Sequence, residues 1–137
     1  MKSIKTKNIV IATFSIILVG CSGEDPSNYK ISNSSYFDLE RTVGCQSSYS
    51  NDKKEDIFEQ NYDNRWMTWG GRVSFANRGE VAINVDYDGL PDLLVDFEDG
   101  ETGYNLREGQ TLTVKFVLWS LGGCYLPYRG RHAVLLS

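Results

Sequence analysis

Seven acidic residues and no basic one fall between Asp86 and Glu101. Asp86, Asp88, Asp92 and Asp96 alternate with Val85, Tyr87, Leu93 and Val95. On paired strands such a two-residue period puts the carboxylates on the solvent side of the sheet. A face of that kind can hold a divalent cation, attract a basic partner, or stand as solvated surface. Asn84-x-Asp86-x-Asp88-Gly89 has the opening spacing of a calcium loop, in which alternate oxygens converge on one ion. The twelfth position, which must supply a bidentate Glu, is Val95, and Pro91 breaks the loop. No metal is therefore expected, and the acids read as a solvated or partner-facing surface. His132 is the single histidine, and with two widely spaced cysteines it does not make a zinc set. There is no G-x-S-x-G, no H-E-x-x-H and no phosphate loop. The acids show no paired pattern of a glycosidase. The chain is expected to be non-enzymatic and free of cofactors.

The elements that position these groups begin with a leader. Met1–Lys7 carries Lys2, Lys5 and Lys7 and no acid, and Ile9–Val19 is apolar apart from Thr13 and Ser15. A positive stretch followed by an apolar run of this length reads as a secretion signal. Its roughly eleven apolar residues are too few to span a hydrocarbon core, which needs ~20. Leu18-Val19-Gly20-Cys21 resembles the lipobox of bacterial lipoproteins. The resemblance implies cleavage before Cys21 and acylation of that residue. Three acyl chains would make the lipid bilayer a stable partner, since a single chain holds only marginally. Ser22, where enteric lipoproteins retained in the inner membrane tend to carry Asp, implies an outer-membrane address facing the periplasm. Cys45 and Cys124 then remain. An even pair in an oxidising compartment reads as a disulfide, with two buried thiols as the alternative.

Removing residues 1–20 deletes three lysines and no acid, leaving 11 Lys+Arg against 18 Asp+Glu, a formal charge of −7 over 117 residues. That length suits one domain. The negative excess disfavours nucleic acid, whose phosphates need Lys and Arg, and also disfavours anionic lipid headgroups. It suits a cationic partner. The chain divides into the signal peptide 1–20, a Ser- and Asn-rich flexible tether 21–35, and a domain over 36–137.

Within that domain, Tyr36–Cys45 reads as a short extended segment. Phe58, Tyr62 and Trp66 fall at i, i+4 and i+8, predicting a helix over about 53–64. The period then changes to two. Trp69, Gly71, Val73 and Phe75 form the inward set of a first strand, and Gly70-Gly71 suits a bend or bulge. Val81–Tyr87, Leu93–Phe97, Leu112–Leu118 and Ala133–Leu136 are four more strands, separated by turn signals at Asn77-Arg78-Gly79 and Asp88-Gly89-Leu90-Pro91. Five strands with one apolar face call for a closed or nearly closed sheet, expected to be antiparallel, with one N-terminal helix.

Trp69-Gly70-Gly71-Arg72-Val73 resembles the W-x-G-x-V start of small bacterial OB-fold domains called tRNA-anticodon-like. Leu106–Val114 resembles their L-x-x-G-x-x-V-x-V stretch before strand four. The likeness covers about residues 52–136. It implies a five-stranded OB-fold-like barrel, here with the usual helix between strands three and four reduced to a turn. OB-folds take single strands across strands two and three. The acids Asp86, Asp88, Asp92 and Asp96 on that face would repel phosphate, so no nucleic acid is expected. The sequence thus reads as a lipid-anchored binding module for a protein or small envelope ligand. The alternatives are an acidic inhibitor or immunity-type lipoprotein against a cationic enzyme such as a lysozyme, and a structural assembly factor of an envelope machine.

Overall fold

The computed structural model describes residues 23–137. The expected lipidation site Cys21 and the leader lie outside the described residues.

Ser35 opens the first helix, α1 (Tyr36–Thr42), with a reciprocal capping box to Asp38. Two otherwise orphaned backbone N–H groups are satisfied this way. Tyr36, Leu39 and Val43 fall at i, i+3 and i+7 and are all buried. The stretch is therefore helical rather than extended. The second helix, α2 (Asn51–Asn61), starts at its Ser50 cap. It ends short of the expected boundary because Asn64 takes a positive φ of 54° and Arg65 already pairs with Leu118. Phe58 is buried on α2, whereas Trp66 belongs to the next strand.

Five strands follow: β1 (Arg65–Ala76), β2 (Glu80–Asn84), β3 (Leu93–Phe97), β4 (Thr111–Ser120) and β5 (Tyr128–Leu135). They close into a barrel in the order β1-β2-β3-β5-β4, with β1 against β4 completing the ring. Every neighbour pair is antiparallel except β3 and β5, which run parallel. The expectation of a wholly antiparallel barrel fails for a topological reason. An odd number of strands cannot alternate in direction all the way round a closed ring.

A third helix, α3 (Gly100–Asn105), joins β3 to β4. Asp99 caps it, accepting from the Thr102 N–H at 2.6 Å. The connection is thus a short helix and not merely a turn, and α1, α2 and α3 replace the single helix expected.

The barrel interior is filled by Met67, Trp69, Val73, Val81, Ile83, Leu93, Val95, Leu112, Val114, Phe116 and Leu118, all nearly inaccessible. Leu39 and Val43 of α1 and Phe58 of α2 join the same cluster. Phe75 does not. The β1–β2 register shifts between Val73 and Phe75, and Phe75 is 53% exposed. The extra residue of a bulge reverses the inward and outward sets beyond it. The bulge lies two residues beyond the Gly70-Gly71 pair that was expected to carry it. Gly71 instead allows close approach, since a Cβ there would stand 2.6 Å from the Asn84 carbonyl.

Gly130 is the other close approach: its missing Cβ leaves room for the Phe116 ring. Gly130→Ala is expected to lower the unfolding free energy by about 1–3 kcal/mol, the usual cost of overpacking a filled interior. Urea unfolding monitored by circular dichroism checks this, and an unchanged midpoint would contradict the contact.

Residues 26–34 run beside β1. Pro26–Asn28 form one 3-10 turn, and the Pro26 carbonyl accepts from the Trp66 indole at 2.9 Å. Ile31 bridges Trp66, and the Ser34 carbonyl accepts from the Trp69 indole at 3.0 Å. Two buried or half-buried indoles need acceptors, and this segment supplies both. From Pro26 onward, the stretch expected as a tether is seated on the barrel.

Candidate functional site

The β2–β3 loop (residues 85–92), the β4–β5 loop (residues 121–127) and α1 meet at one end of the barrel. Tyr36 and Glu40, four residues apart and so on one face of α1, line a cleft of about 260 Å³ with Asp86, Asp88, Asp92 and Tyr125. Leu90, Leu126 and Tyr128 add apolar surface, and no Lys, Arg or His is among the lining residues. A second cleft of about 340 Å³ adjoins it, sharing Glu40, Gly123, Cys124 and Tyr128 and reaching Lys54 and Glu55 of α2.

Three of the four expected acids come together here, in different roles. Asp92 is half-buried and turned inward. Its Oδ2 accepts from the Val85 and Asp86 N–H groups at 2.7 and 3.0 Å, and its Oδ1 accepts from the Tyr36 hydroxyl at 2.9 Å. Burial raises its pKa above the ordinary 3.8, against the lowering effect of these hydrogen bonds. Asp92 is therefore the brace of the β2–β3 loop and not part of a solvent-facing strip. Asp86 accepts from the Asp88 N–H at 2.8 Å and forms the loop's own turn. Asp88 is exposed.

Asp96 is not brought to the cleft. It stands exposed on β3 opposite Glu80, which pairs with Arg129 at 3.2 Å. The common face expected for the four acids fails because β2 ends at Asn84. Asp86 and Asp88 lie beyond it, in a loop where strand parity no longer holds. Tyr87 has a positive φ of 63° and is 53% exposed, with Arg72 over its ring at 5.1 Å.

Glu40 is the site residue that alternation did not find. Its signal was the Ser35-x-x-Asp38 box, which makes the segment helical and sets Glu40 beside Tyr36. Glu40 accepts from the Tyr128 hydroxyl at 2.9 Å. Burial first, and then the Glu40 charge, push the Tyr128 hydroxyl well above the ordinary tyrosine range. Burial and the Asp92 bond do the same at Tyr36. Both hydroxyls thus stay protonated and spend their hydrogens on carboxylates. Beneath them, Trp69 makes edge contacts with Tyr36, Tyr128 and Phe116 at 5.1–5.8 Å between ring centroids.

The β4–β5 loop is fixed twice. The Cys45–Cys124 disulfide ties it to the α1–α2 connection, with Cα atoms 5.0 Å apart. Gly123 and Leu126 exchange N–H···O bonds of 3.1 and 3.0 Å, leaving Cys124 and Tyr125 as a two-residue turn. Tyr125 is 87% exposed and Leu126 69%. His132 lies away from the cleft on β5, paired with Glu98. Among the described residues, no group of three His, Cys, Asp or Glu side chains is placed to hold a metal ion.

Asp92→Ala is expected to cost about 1–3 kcal/mol of stability, because it strands two backbone donors and a tyrosine hydroxyl. Asp92→Asn keeps an oxygen for the backbone and should cost less. The variants also differ from the parent in pH response. With its folded pKa raised, Asp92 binds its proton more tightly in the folded than in the unfolded chain. Its contribution to stability therefore falls as pH rises from 3.8 through the raised value, and is flat above it. Denaturant midpoints across that range should show Asp92→Asn lacking this fall. A parallel pH profile for parent and variant would contradict the burial.

Comparisons with family models, with curated proteins and with solved structures find no match.

Proposed function

We propose that the chain is a non-enzymatic lipoprotein, acylated at Cys21 and held at the outer membrane facing the periplasm. On this reading its OB-fold-like barrel binds a protein or small envelope ligand that brings positive charge. The cleft carries the proposal: Glu40, Asp86 and Asp88 stand between tyrosines on a concave surface with no cation among its lining residues. Fixed carboxylates beside aromatic rings suit an ammonium or guanidinium group, which gains both charge and ring contact. The OB-fold assignment draws support from the ring order, from α3 between β3 and β4, and from the β4–β5 loop at the cleft, a loop that OB-folds use for binding.

One observation favours a cationic protein, such as a basic enzyme to be inhibited, over a small ligand. The Tyr125–Leu126 tip is exposed, apolar and rigidly held beside the acids. A preorganised aromatic anchor next to charge is the arrangement of an interface hot spot.

The test is association of the full-length, detergent-solubilised protein with immobilised hen lysozyme as a cationic probe. Binding should weaken steeply as salt rises, because steering acts through screened charge. Glu40→Gln with Asp86→Asn and Asp88→Asn is expected to lower the association rate about tenfold or more at low salt. Asp96→Asn, away from the cleft, should leave it unchanged. Equal rates for all three proteins would refute the cleft as the binding surface.

A further inference from the structure

The barrel is segregated in charge. No acidic residue occurs in β1, β4 or β5, while those strands carry Arg65, Arg72, Lys115, Arg129 and Arg131. The acids lie in the helices, in the loops, and on β2 and β3, which sit across the ring from β4. Register shows which cations share a surface. Trp66 pairs with Val117 and Thr68 with Lys115 across β1 and β4. Lys115 pairs with Val134, and Val117 with Arg131, across β4 and β5. By parity these point away from the interior, which the alternate residues Met67, Val114, Phe116 and Leu118 fill, and Val117 is itself fully covered.

Beside this outer face, on the edge of β1 away from β4, residues 30–32 pair with Trp66 in the plane of the sheet. Ile31 bridges Trp66 and shares its outward side, with the Lys30 carbonyl accepting from the Trp66 N–H at 2.9 Å. Lys115 stands over the Trp66 ring at 4.9 Å. Arg131 reaches the Asn64 side chain at 2.8 Å and the Tyr29 hydroxyl at 3.4 Å. Ile31 is 72% exposed and Val134 50%. The acids nearby are Glu24, which accepts from the Tyr29 hydroxyl, and Asp63, beside Asn64.

Chain length then restricts what covers this face. Asp25 caps the first fixed turn, four residues after Cys21. Four residues reach at most about 14 Å when fully extended. An acylated Cys21 would therefore hold the barrel against the bilayer rather than on a long leash.

We infer that the outer face of β1, β4 and β5, with Ile31, Trp66, Lys115, Arg131 and Val134, rests on the anionic lipid headgroups of the membrane that holds the anchor. The inference rests on the acylation of Cys21. The chain's net charge is negative, so attraction alone would not bring it to such a surface. Once tethered, its cations are drawn in and its acids pushed out within a screening length of about 8 Å, which sets its orientation. Trp66 and the apolar Ile31 and Val134 suit the boundary between headgroup and acyl chain. This orientation turns β2, β3 and the acidic β2–β3 loop toward the aqueous side.

The full-length protein, produced with its own leader, is reconstituted into vesicles of phosphatidylethanolamine with phosphatidylglycerol. A photo-cross-linking residue is placed at Ile31, at Val134, or at Leu90 as a control on the acidic loop. The same preparations are labelled with palmitate. Palmitate incorporation with lipid adducts at 31 and 134 at least fivefold above those at 90 supports the inference. Lys115→Glu should remove most of that difference, with circular dichroism confirming the fold. Palmitate incorporation with equal adducts at all three positions would overturn the orientation while leaving the anchor intact. Adducts at 31 and 134 with protein instead of lipid would assign the face to a protein partner and overturn it as well. Absence of palmitate would refute the anchor itself, and the orientation with it.

Discussion

Trp69→Ala is expected to lower the unfolding free energy by about 3–5 kcal/mol, the range for removing a buried large aromatic. For a domain of ordinary stability, ~5–15 kcal/mol in all, that is a large fraction of the whole. Trp69 is 4% exposed and touches both barrel and cap: Phe116 on β4, Tyr128 on β5 and Tyr36 on α1. Its indole N–H also secures the Ser34 carbonyl. The loss should therefore loosen the seated N-terminal segment and the floor of the acidic cleft together. Trp69→Phe retains most of the buried ring and should cost less, while releasing Ser34. Guanidinium unfolding of both variants, with hydrogen exchange at residues 26–34, checks the two parts. A loss under about 1 kcal/mol for Trp69→Ala would mean that the ring is not packed between the three elements, given the usual cost of such a cavity.

The second large effect concerns the disulfide. Cys45 and Cys124 are separated by 79 residues. Chain-entropy reasoning gives roughly 4 kcal/mol for closing a loop of that size. Both half-cystines are exposed, so a reductant reaches them without unfolding. Reduction, or Cys45→Ser with Cys124→Ser, should lower the thermal midpoint by roughly 10–20 °C in a domain of this length. The loss should fall unevenly. The β4–β5 loop keeps its two Gly123–Leu126 bonds but is released from the α1–α2 connection, so both clefts open before the barrel melts. Binding of a cationic partner should then weaken at temperatures where circular dichroism still reports a folded barrel. Coincident loss of binding and fold would show that the bridge stabilises the whole and does not shape the cleft in particular.

How much of this was legible in the sequence depended on how local the cause was. The inward set Leu112, Val114, Phe116 and Leu118 was readable because its period of two holds along β4, even though Val117 between its last members is buried as well. Phe75 was misplaced because a bulge inserts one residue, and a bulge leaves no mark on a period-two pattern. The β1–β2 bulge did not fall at the glycines that advertised one. Asp92 was misread for a different reason. It is turned inward by the Val85 and Asp86 N–H groups of its own loop and by the Tyr36 hydroxyl, 56 residues away, and alternation along a strand encodes none of these bonds. Helix α1 was within reach of a local reading, since Ser35 and Asp38 form its capping box and Tyr36, Leu39 and Val43 its stripe. It was missed because seven residues are too few for periodicity to speak loudly. With it went Glu40, and with Glu40 half of the cleft's character. The parallel β3–β5 pair was implied by counting strands, once closure was accepted.

The strand that completes the ring is the last one in the chain, and it enters between β3 and β4, which have no other partner on that side. Until β5 arrives, both present unpaired backbone edges, and the Trp69–Phe116 interior lies open along a seam. The β4–β5 pair is a local hairpin, whereas β3–β5 joins Leu93 to Tyr128, so the seam closes when that hairpin docks on β3, the slower step because its loop closure is longer. Without β5 the other strands can pair only as an open sheet in the order β4-β1-β2-β3. Tyr128–Leu135 closes that sheet into the ring and brings Tyr128 against Trp69 and into the lining of both clefts.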